Sequence, residues 1–427
     1  MNQSKTAVSG HYSVLIVGGG QAGLSMSYLL KEKNIDHLIL EKNRLAHAWR
    51  NERWDTFCLV TPNWQCTLPG FSYTGNDPYG FMKKNEIVEF MDAYIASFNP
   101  PVAEGVAVER IERNADGVFE IHTSQGTASC DQVVVAVGGY HLPIIPQAAA
   151  RLPAHITQIH SCDYINPESL PDGEVLVVGT GQSGCQIAED MHLTGRKVHL
   201  CVGDAPRVAR TYRGKDVVEW LDKMKYYDLP VDKHPLGTGV REKTNHYVTG
   251  RDGGRDIDLR KFALEGMKLY GRFEDIADGI AQFGSDLKVN LDNADATSEK
   301  IKDSIDKFIA ANNIDAPVEA RYVPLWVPGD AEPTSLDLSK ISVVIWCIGF
   351  RTDFTWIREE IFDERGYPGH DRGVTAVPGL YFLGLPWQYT WGSGRFSGVA
   401  RDARHLLEHI ELKRGLSAKG ESLQQVA

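Results

Sequence analysis

Paired cysteines are missing from this 427-residue sequence. Its seven cysteines, Cys58, Cys66, Cys130, Cys162, Cys185, Cys201 and Cys347, form no C-x-x-C. That spacing excludes a zinc ribbon and a disulfide framework, and it leaves no close pair for a redox-active dithiol. Buried structural thiols are the expectation. Long hydrophobic runs are missing too. Val133–Val137 and Ile341–Ile348 are strand-length, far short of the ~20 residues a membrane span needs. The opening Met1-Asn-Gln-Ser-Lys5 is polar and lacks a signal-peptide core. Basic charge is in deficit: 45 Lys and Arg against 56 Asp and Glu give a net −11. Nothing there offers a footprint to nucleic acid or an anionic membrane. A soluble, cytoplasmic protein with neither partner is expected. Hydrophobic residues make up 42% of the chain and supply a sizeable core. The length suits about two to three domains of ~150 residues.

Glycine is where the sequence becomes specific. An apolar strand from Tyr12 enters Gly18-Gly-Gly20-Gln21-Ala22-Gly23, a helical run leaves it, and His37-Leu-Ile-Leu ends in Glu41. This is the layout of a dinucleotide-binding βαβ unit. Gly18 permits the tight turn, Gly20 lets backbone approach a pyrophosphate, and Gly23 lets the helix sit close to the strand. The helix N-terminus offers free N–H groups and about half a positive charge to that anion. Glu41, at the expected distance of roughly 20 residues, is placed to accept from ribose hydroxyls. The layout returns as the strand Val175–Val178, the turn Gly179-Thr-Gly181-Gln182-Ser183-Gly184, a helix to Leu193, and a strand to Val202. The offset that carries Gly18 to Glu41 carries Gly179 to Val202, which is apolar. Arg207, Arg210 and Arg213 follow shortly. Loss of the acid beside arginines favours a 2′-phosphate, hence NADP over NAD, with Asp204 as an offset acid in the alternative. Two such folds in one chain imply two nucleotides: FAD on the first, a nicotinamide on the second.

Between and after these units the chain is irregular in an informative way. Lys42, Trp49 and Arg50 lie in a turn after the first acid and are assigned to the same nucleotide. The segment Trp54–Phe71 is aromatic and interrupted by Pro62 and Pro69, so it suits the wall of a ligand site rather than a regular element. Thr61 and Gln65 there are taken as cofactor contacts, Phe57 and Trp64 as substrate contacts. Lys84–Phe98 has helical spacing, and strands are expected around 107–113, 118–123 and 131–137, with Val108 a further cofactor contact. Gly138 and Gly349 each end a buried strand, where glycine allows close approach to a ligand. Gly384 ends another strand, and a final helix is expected from Gly398 and Val399 to about Leu412, with a frayed tail from Gly415. Its N–H groups would favour the electron-rich edge of a flavin. Trp387, Tyr389 and Trp391 precede it and complete an aromatic pocket. The expected organisation is α/β: two Rossmann-like domains, FAD over 1–150 and 341–427, NADP over 151–340 inserted between them, with an α-rich insertion at about 213–338. Thr297–Ile309 reads as an amphipathic helix with a Ser/Thr cap near Glu299.

The two glycine folds, the link Val134-Val-Ala-Val-Gly-Gly139 and the strand Cys347-Ile-Gly-Phe-Arg-Thr-Asp353 resemble class B flavin monooxygenases, nearest the flavin-containing, YUCCA-like branch. The phrase Val60-Thr-Pro-Asn-Trp-Gln-Cys66 resembles flavoproteins encoded beside bacterial nitrilases. The family fingerprint F-x-G-x-x-x-H-x-x-x-W/Y is half present: His160 and Tyr164 fit, while Ala154 and Ile156 stand where Phe and Gly are expected. His47-Ala48 replaces a usual Gly-Gly before Trp49. The first departure weighs against Baeyer–Villiger chemistry. The resemblance implies that NADPH reduces FAD, that dioxygen adds to form a 4a-hydroperoxide, and that a small, nitrogen-containing substrate takes the distal oxygen. It makes Asn63 the candidate catalytic amide. No metal, carboxylate pair or Ser/His/Asp triad is required. Plain flavin oxidoreduction, oxidative decarboxylation of a keto acid and a non-enzymatic flavin sensor are the alternatives, and homo-oligomerisation stays open.

Overall fold

The computed structural model describes residues 8–419, so the polar N-terminal pentapeptide lies outside it. β1 (His11–Val17) runs into α1 (Gln21–Glu32) and β2 (His37–Glu41). After the irregular aromatic segment comes α2 (Lys84–Phe98), at the bounds its apolar spacing predicts. β3 (Val102–Glu104), β4 (Val108–Arg113), β5 (Phe119–Thr123) and β6 (Gly126–Val135) follow. The chain then leaves through β7 (Leu142–Pro143) for β8 (Thr157–His160), β9 (Glu174–Val178), α3 (Gln182–Leu193) and β10 (Val198–Cys201). β11 (Lys268–Tyr270), α4 (Leu287–Ala311) and β12 (Ile341–Trp346) come next. It returns through β13 (Phe350–Arg351) to β14 (Leu380–Phe382) and α5 (Val399–Lys419).

Two sheets result. One runs β14-β6-β1-β2-β3 and the other β8-β12-β9-β10-β11, and within each of these runs all neighbours are parallel. The second sheet is built wholly from chain that lies between β6 and β14. Period-two alternation sorts the strands' side chains between faces. Val14 and Ile16 join the layer beneath α1 and α5, while Leu15 and Val17 join the opposite one. Val175 and Val177 part from Leu176 and Val178 in the same way.

The two crossings between the sheets are zipped together. β7 pairs antiparallel with β13, Pro143 opposite Phe350. His141 accepts from the Asp353 N–H at 2.8 Å and donates to the Gly138 carbonyl at 3.1 Å. His160, half of the fingerprint, donates to the Gly349 carbonyl at 3.1 Å. Burial lowers both imidazole pKa values, which favours the neutral ring with one donor and one acceptor that these bonds use. The two glycines at the strand ends are therefore each pinned by a histidine.

Two sequence expectations about helices change. α4 begins at Leu287, well before the predicted cap, because Leu287, Leu291 and Ala294 extend its buried stripe. Its first amides are capped from afar: the Glu332 carboxylate accepts from Leu287 and Lys288 at 3.0 and 2.9 Å. Thr297 is mid-helix, its hydroxyl donating to the Asn293 carbonyl. α5 continues through Gly415 to Lys419 rather than fraying there. The insertion also brings strands, namely β11 and an antiparallel sheet of Phe273–Ala277, Ile280–Phe283 and Ser335–Asp337. The Gly250–Arg255 turn bolts it to α3. Arg251 pairs with buried Asp190 at 2.7 Å and Arg255 with buried Glu189 at 2.8 Å. No helix among the described residues is long and apolar enough to cross a membrane.

Candidate functional site

Both glycine turns have the geometry their spacing predicts. Gly18 sits at φ +104°, and a Cβ on Gly23 would lie 1.9 Å from the Gly18 carbonyl oxygen. A Cβ on Gly20 would meet nothing within 4 Å. The second turn repeats this. Gly179 sits at φ +106°, a Gly184 Cβ would lie 1.9 Å from the Gly179 oxygen, and the nearest atom to Gly181's open side is the Thr244 methyl at 3.7 Å. Neither α1 nor α3 has a side-chain cap. Their first N–H groups therefore face the open side of each turn, as an anion site requires. These cradles fit a dinucleotide pyrophosphate.

Register makes the comparison of acids strict. Val17 pairs with Leu40 and Val178 with Cys201, so Val202 occupies the place of Glu41. Glu41 is buried and accepts from the Gly19 N–H at 2.7 Å and the Asn43 N–H at 2.8 Å. Its remaining lone pairs can serve ribose hydroxyls. In the second unit the Thr180 hydroxyl accepts from the Gly203 N–H at 3.0 Å. Asp204 comes next, 75% exposed, and pairs at 3.4 Å with Arg272 just beyond β11.

Four arginines assigned to cofactors, Arg207, Arg210, Arg213 and Arg50, are corrected. Arg207 is 4% exposed and paired with Asp295 at 2.6 Å, its guanidinium over the Tyr322 ring. Arg210 is 3% exposed and spent on Asp216 and the Val60 carbonyl; Arg213 holds Asp306. A buried guanidinium needs a carboxylate partner; Arg207, Arg210 and the half-buried Arg213 all have theirs within the insertion. Arg50 likewise forks onto Asp92 of α2 and the Leu45 carbonyl, so it braces α2. Val108 opens the β4–β5 hairpin, whereas Val106 meets the acid, its N–H donating to the Glu41 carbonyl at 2.9 Å. Lys42 is exposed.

The flavin-side residues converge. The Gln21 amide accepts from Trp49 Nε1 at 3.0 Å and donates to the Gly394 carbonyl at 3.2 Å. Trp49 stacks on Phe396 at 5.3 Å and tilts against Phe57 at 6.3 Å. Gly384 lies where a Cβ would reach Ala22 at 2.7 Å, and Gly398 where one would reach the Gly392 backbone at 2.5 Å. Val399 is fully buried. Gly138 and Gly349, at φ +74° and +92°, have open space where a Cβ would stand. Ser183 lies in the uncapped first turn of α3, and Gln182 is engaged by the Val248 backbone.

In the wall segment Thr61 and Gln65 are buried. Gln65 Oε1, Trp64 Nε1 and Ser397 Oγ are buried without a partner among the described residues, as fits walls built to meet a bound polar group. Asn63 is different. Its amide donates to the Asp77 carbonyl at 2.9 Å and accepts from the Met82 N–H at 2.8 Å. The structure makes it the brace of the wall rather than the catalytic amide. Asn63→Ala is expected to lower stability by ~1–3 kcal/mol, the cost of two unmade buried bonds. Thermal melts of the holoenzyme check this. A variant with unchanged melting but a loss of product relative to peroxide would restore the catalytic role.

The expected aromatic pocket divides into two halves. Phe57 belongs with Trp49 and Trp54. Trp387 packs on Val231 and Val240 at a left-handed φ of 50°, a conformation that costs ~1–3 kcal/mol and marks a constrained site. The Tyr389 ring takes the Arg372 guanidinium at 4.1 Å, and Trp391 lies between Tyr227 and Arg395. Arg395-Phe396 joins the halves, a link without a motif of its own. All seven cysteines are free. Burial pushes the Cys58 and Cys162 thiols up to about 11, and Cys66 and Cys130 to about 12, so they are protonated and inert near neutral pH.

Two interleaved dinucleotide folds with open turns define a flavin-dependent oxidoreductase. A profile for the family "pyridine nucleotide-disulphide oxidoreductase" matches residues 15–227. The "uncharacterized oxidoreductase CzcO-like" of Geobacillus kaustophilus is 32% identical over 401 residues, 93% of this chain and 97% of that protein. The probable indole-3-pyruvate monooxygenase YUCCA4 of Arabidopsis thaliana is 27% identical over 45% of this chain and 47% of its own. Among solved structures, the flavin-containing monooxygenase from Stenotrophomonas maltophilia shares the fold with a TM-score of 0.65 at 17% identity, covering 94% of this chain and 98% of that one. The chain belongs to the CzcO-like oxidoreductases and is similar to flavin monooxygenases. It is an enzyme of flavin-dependent oxidoreduction.

Proposed function

We propose that this enzyme reduces FAD with a nicotinamide dinucleotide and delivers one oxygen atom of dioxygen to a nucleophilic nitrogen, or a related heteroatom, of a small substrate. Substrate, O2, reduced nicotinamide and a proton become oxygenated substrate, water and oxidised nicotinamide. The flavin supplies the hydride acceptor and the oxygen-activating ring. The chain supplies everything else. The α1 and α3 N-termini hold the two pyrophosphates, and Glu41 orients a ribose. Trp49, Phe57, Phe396 and Trp391 line a layer poor in water, which protects reactive species from hydrolysis.

The observation that carries this reading is the aromatic layer joined to the first glycine turn by Gln21, in a protein whose seven cysteines are all free and form no C-x-x-C. The Kutzneria ornithine N-hydroxylase, with a TM-score of 0.64 at 15% identity over 95% of this chain and all of that one, shares its fold and is in keeping with heteroatom oxygenation. The test is coenzyme consumption under 18O2 with amines, nitriles, amino acids and keto acids, with product mass as the readout. Labelled product supports the reading. Stoichiometric peroxide and no labelled product from every class overturns it in favour of plain oxidoreduction.

With Arg207 and Arg210 buried and Arg213 paired with Asp306, the arginine argument for NADPH falls. The charges exposed where the second ribose would lie are Asp204 and Arg272. Asp204 repels a 2′-phosphate and occupies the guanidinium of Arg272, so NADH is the preferred reductant. Asp204→Asn is expected to raise kcat/KM for NADPH relative to NADH by about tenfold, ~1.4 kcal/mol in the transition state. Arg272→Ala should remove that gain. Flavin bleaching by each coenzyme measures both, and an unchanged ratio in the Asp204 variant refutes the assignment.

A further inference from the structure

Arg50, Arg207, Arg210 and Arg260 each pair with an aspartate. Arg395, like Arg53 and Arg241 of the site region, makes no ion pair among the described residues; Arg53 donates to the Glu52 carbonyl and lies over the Trp49 ring, and Arg241 donates to the Trp387 carbonyl. The Arg395 Nε donates to the Trp391 carbonyl at 3.3 Å and its Nη2 to Asn245 Oδ1 at 3.0 Å. The guanidinium lies 3.8 Å from the centre of the Trp391 ring. The titratable groups facing it are Tyr140, Tyr226 and Tyr227, none of them a carboxylate, and burial lowers its pKa. The acids nearby are taken, Asp402 by Arg372 and Asp228 by Arg401. Of a guanidinium's five N–H donors, both on Nη1 and one on Nη2 remain free.

Its position is equally particular. Gly394, the preceding residue, accepts from Gln21 of the first glycine turn. Asn245 follows Thr244, whose methyl is the nearest atom to the open side of Gly181 in the second turn. Arg395 therefore stands between the two nucleotide cradles, in the aromatic layer, and each cradle already has a helix N-terminus for its pyrophosphate. Asn245 comes from the insertion, which is thereby brought to the site.

We propose that Arg395, oriented by Asn245, is the anchor for a carboxylate on the substrate, so that the enzyme acts on small organic acids. A planar guanidinium with free parallel donors matches a carboxylate bidentately, and an apolar setting strengthens the pair. The inference rests on the oxygenase reading for the use of the site, but its test does not require turnover.

The test is binding of phenylacetate and of its neutral isostere phenylacetamide to the oxidised holoenzyme, followed by perturbation of the flavin spectrum. Phenylacetate is expected to bind at least about tenfold more tightly, a difference of ~1.4 kcal/mol. Arg395→Met should abolish that preference, Arg395→Lys should keep part of it, and Asn245→Ala should weaken it through a misoriented guanidinium. Equal binding of acid and amide to the wild type overturns the proposal, as does a preference that survives Arg395→Met. A variant that keeps the preference but changes the rate of flavin bleaching by NADH assigns the guanidinium to the flavin, which also overturns it. Should Arg395→Met lose flavin, Arg395→Lys and Asn245→Ala decide by the same ratio. Failure of labelled oxygen to reach any product would instead count against the oxygenase reading alone.

Discussion

Gly23→Ala is expected to purify with no more than a trace of flavin. The added methyl would stand 1.9 Å from the Gly18 carbonyl oxygen and 3.3 Å from the Ile16 side chain. Backbone must move to admit it, and the backbone in the way is the glycine turn itself. Gly18 is held at φ +104° against the Ala136 carbonyl, and its N–H is bonded to the Leu40 carbonyl at 2.9 Å. Overpacking of this kind costs ~1–3 kcal/mol in stability, but the cost to the site is greater, because the N–H groups of α1 lose their aim. The ratio of flavin absorbance to protein reads the outcome. Gly184→Ala is the counterpart, with the same 1.9 Å clash in the second turn. It should retain flavin and lose its bleaching by NADH and NADPH. A flavin-loaded Gly23→Ala protein, or a Gly184→Ala protein reduced at the wild-type rate, would show that the two cradles are not where they are placed above.

The second large effect is purely structural. Asp295 holds Arg207 at 2.6 Å on one oxygen and Arg260 at 2.9 Å on the other, and both guanidiniums are almost fully buried. Asp295→Ala removes their shared anion, leaving Arg260 to Asp292 at 2.6 Å and Arg207 to Asp256 at 3.9 Å. Breaking a buried pair costs about 3–5 kcal/mol, and at ~2–4 °C per kcal/mol for a domain of 150–250 residues the melting temperature should fall by roughly 6–20 °C. Calorimetry of the holoenzyme checks it. A fall of under about 2 °C would mean that the arginines find other partners or water. The NADH-to-NADPH ratio should not follow this variant, which separates the buried arginines from the coenzyme choice proposed for Asp204 and Arg272.

Most of the architecture could be read from residue order because its signals are local. Both glycine turns, the flanking strands and α2 stand where spacing places them, since a βαβ turn is encoded by glycines two and five residues after the first and an amphipathic helix by its own stripe. α4 was legible only in its second half. Its first half carries Asn290, Asp292 and Asn293 among the apolar residues, and its cap is Glu332, which no local pattern reveals. The half fingerprint at His160 shows the same limit: the residue type was visible, but its partner, the Gly349 carbonyl, became visible only when β12 was laid beside β8.

By itself, then, the sequence determined that two dinucleotide units alternate with irregular aromatic segments, because steric demands at Gly18, Gly23, Gly179 and Gly184 are set by neighbours in the chain. Tertiary structure decided what the charged and polar side chains do. Arg207 and Arg210 looked like phosphate ligands and are buried ion-pair partners. Asn63 looked catalytic and braces a loop. Arg395 carried no motif and stands uncompensated between the cradles. The reason is physical: the fate of a charge depends on which opposite charge the fold brings within a few ångströms and on how much water is left, and neither is a property of local sequence.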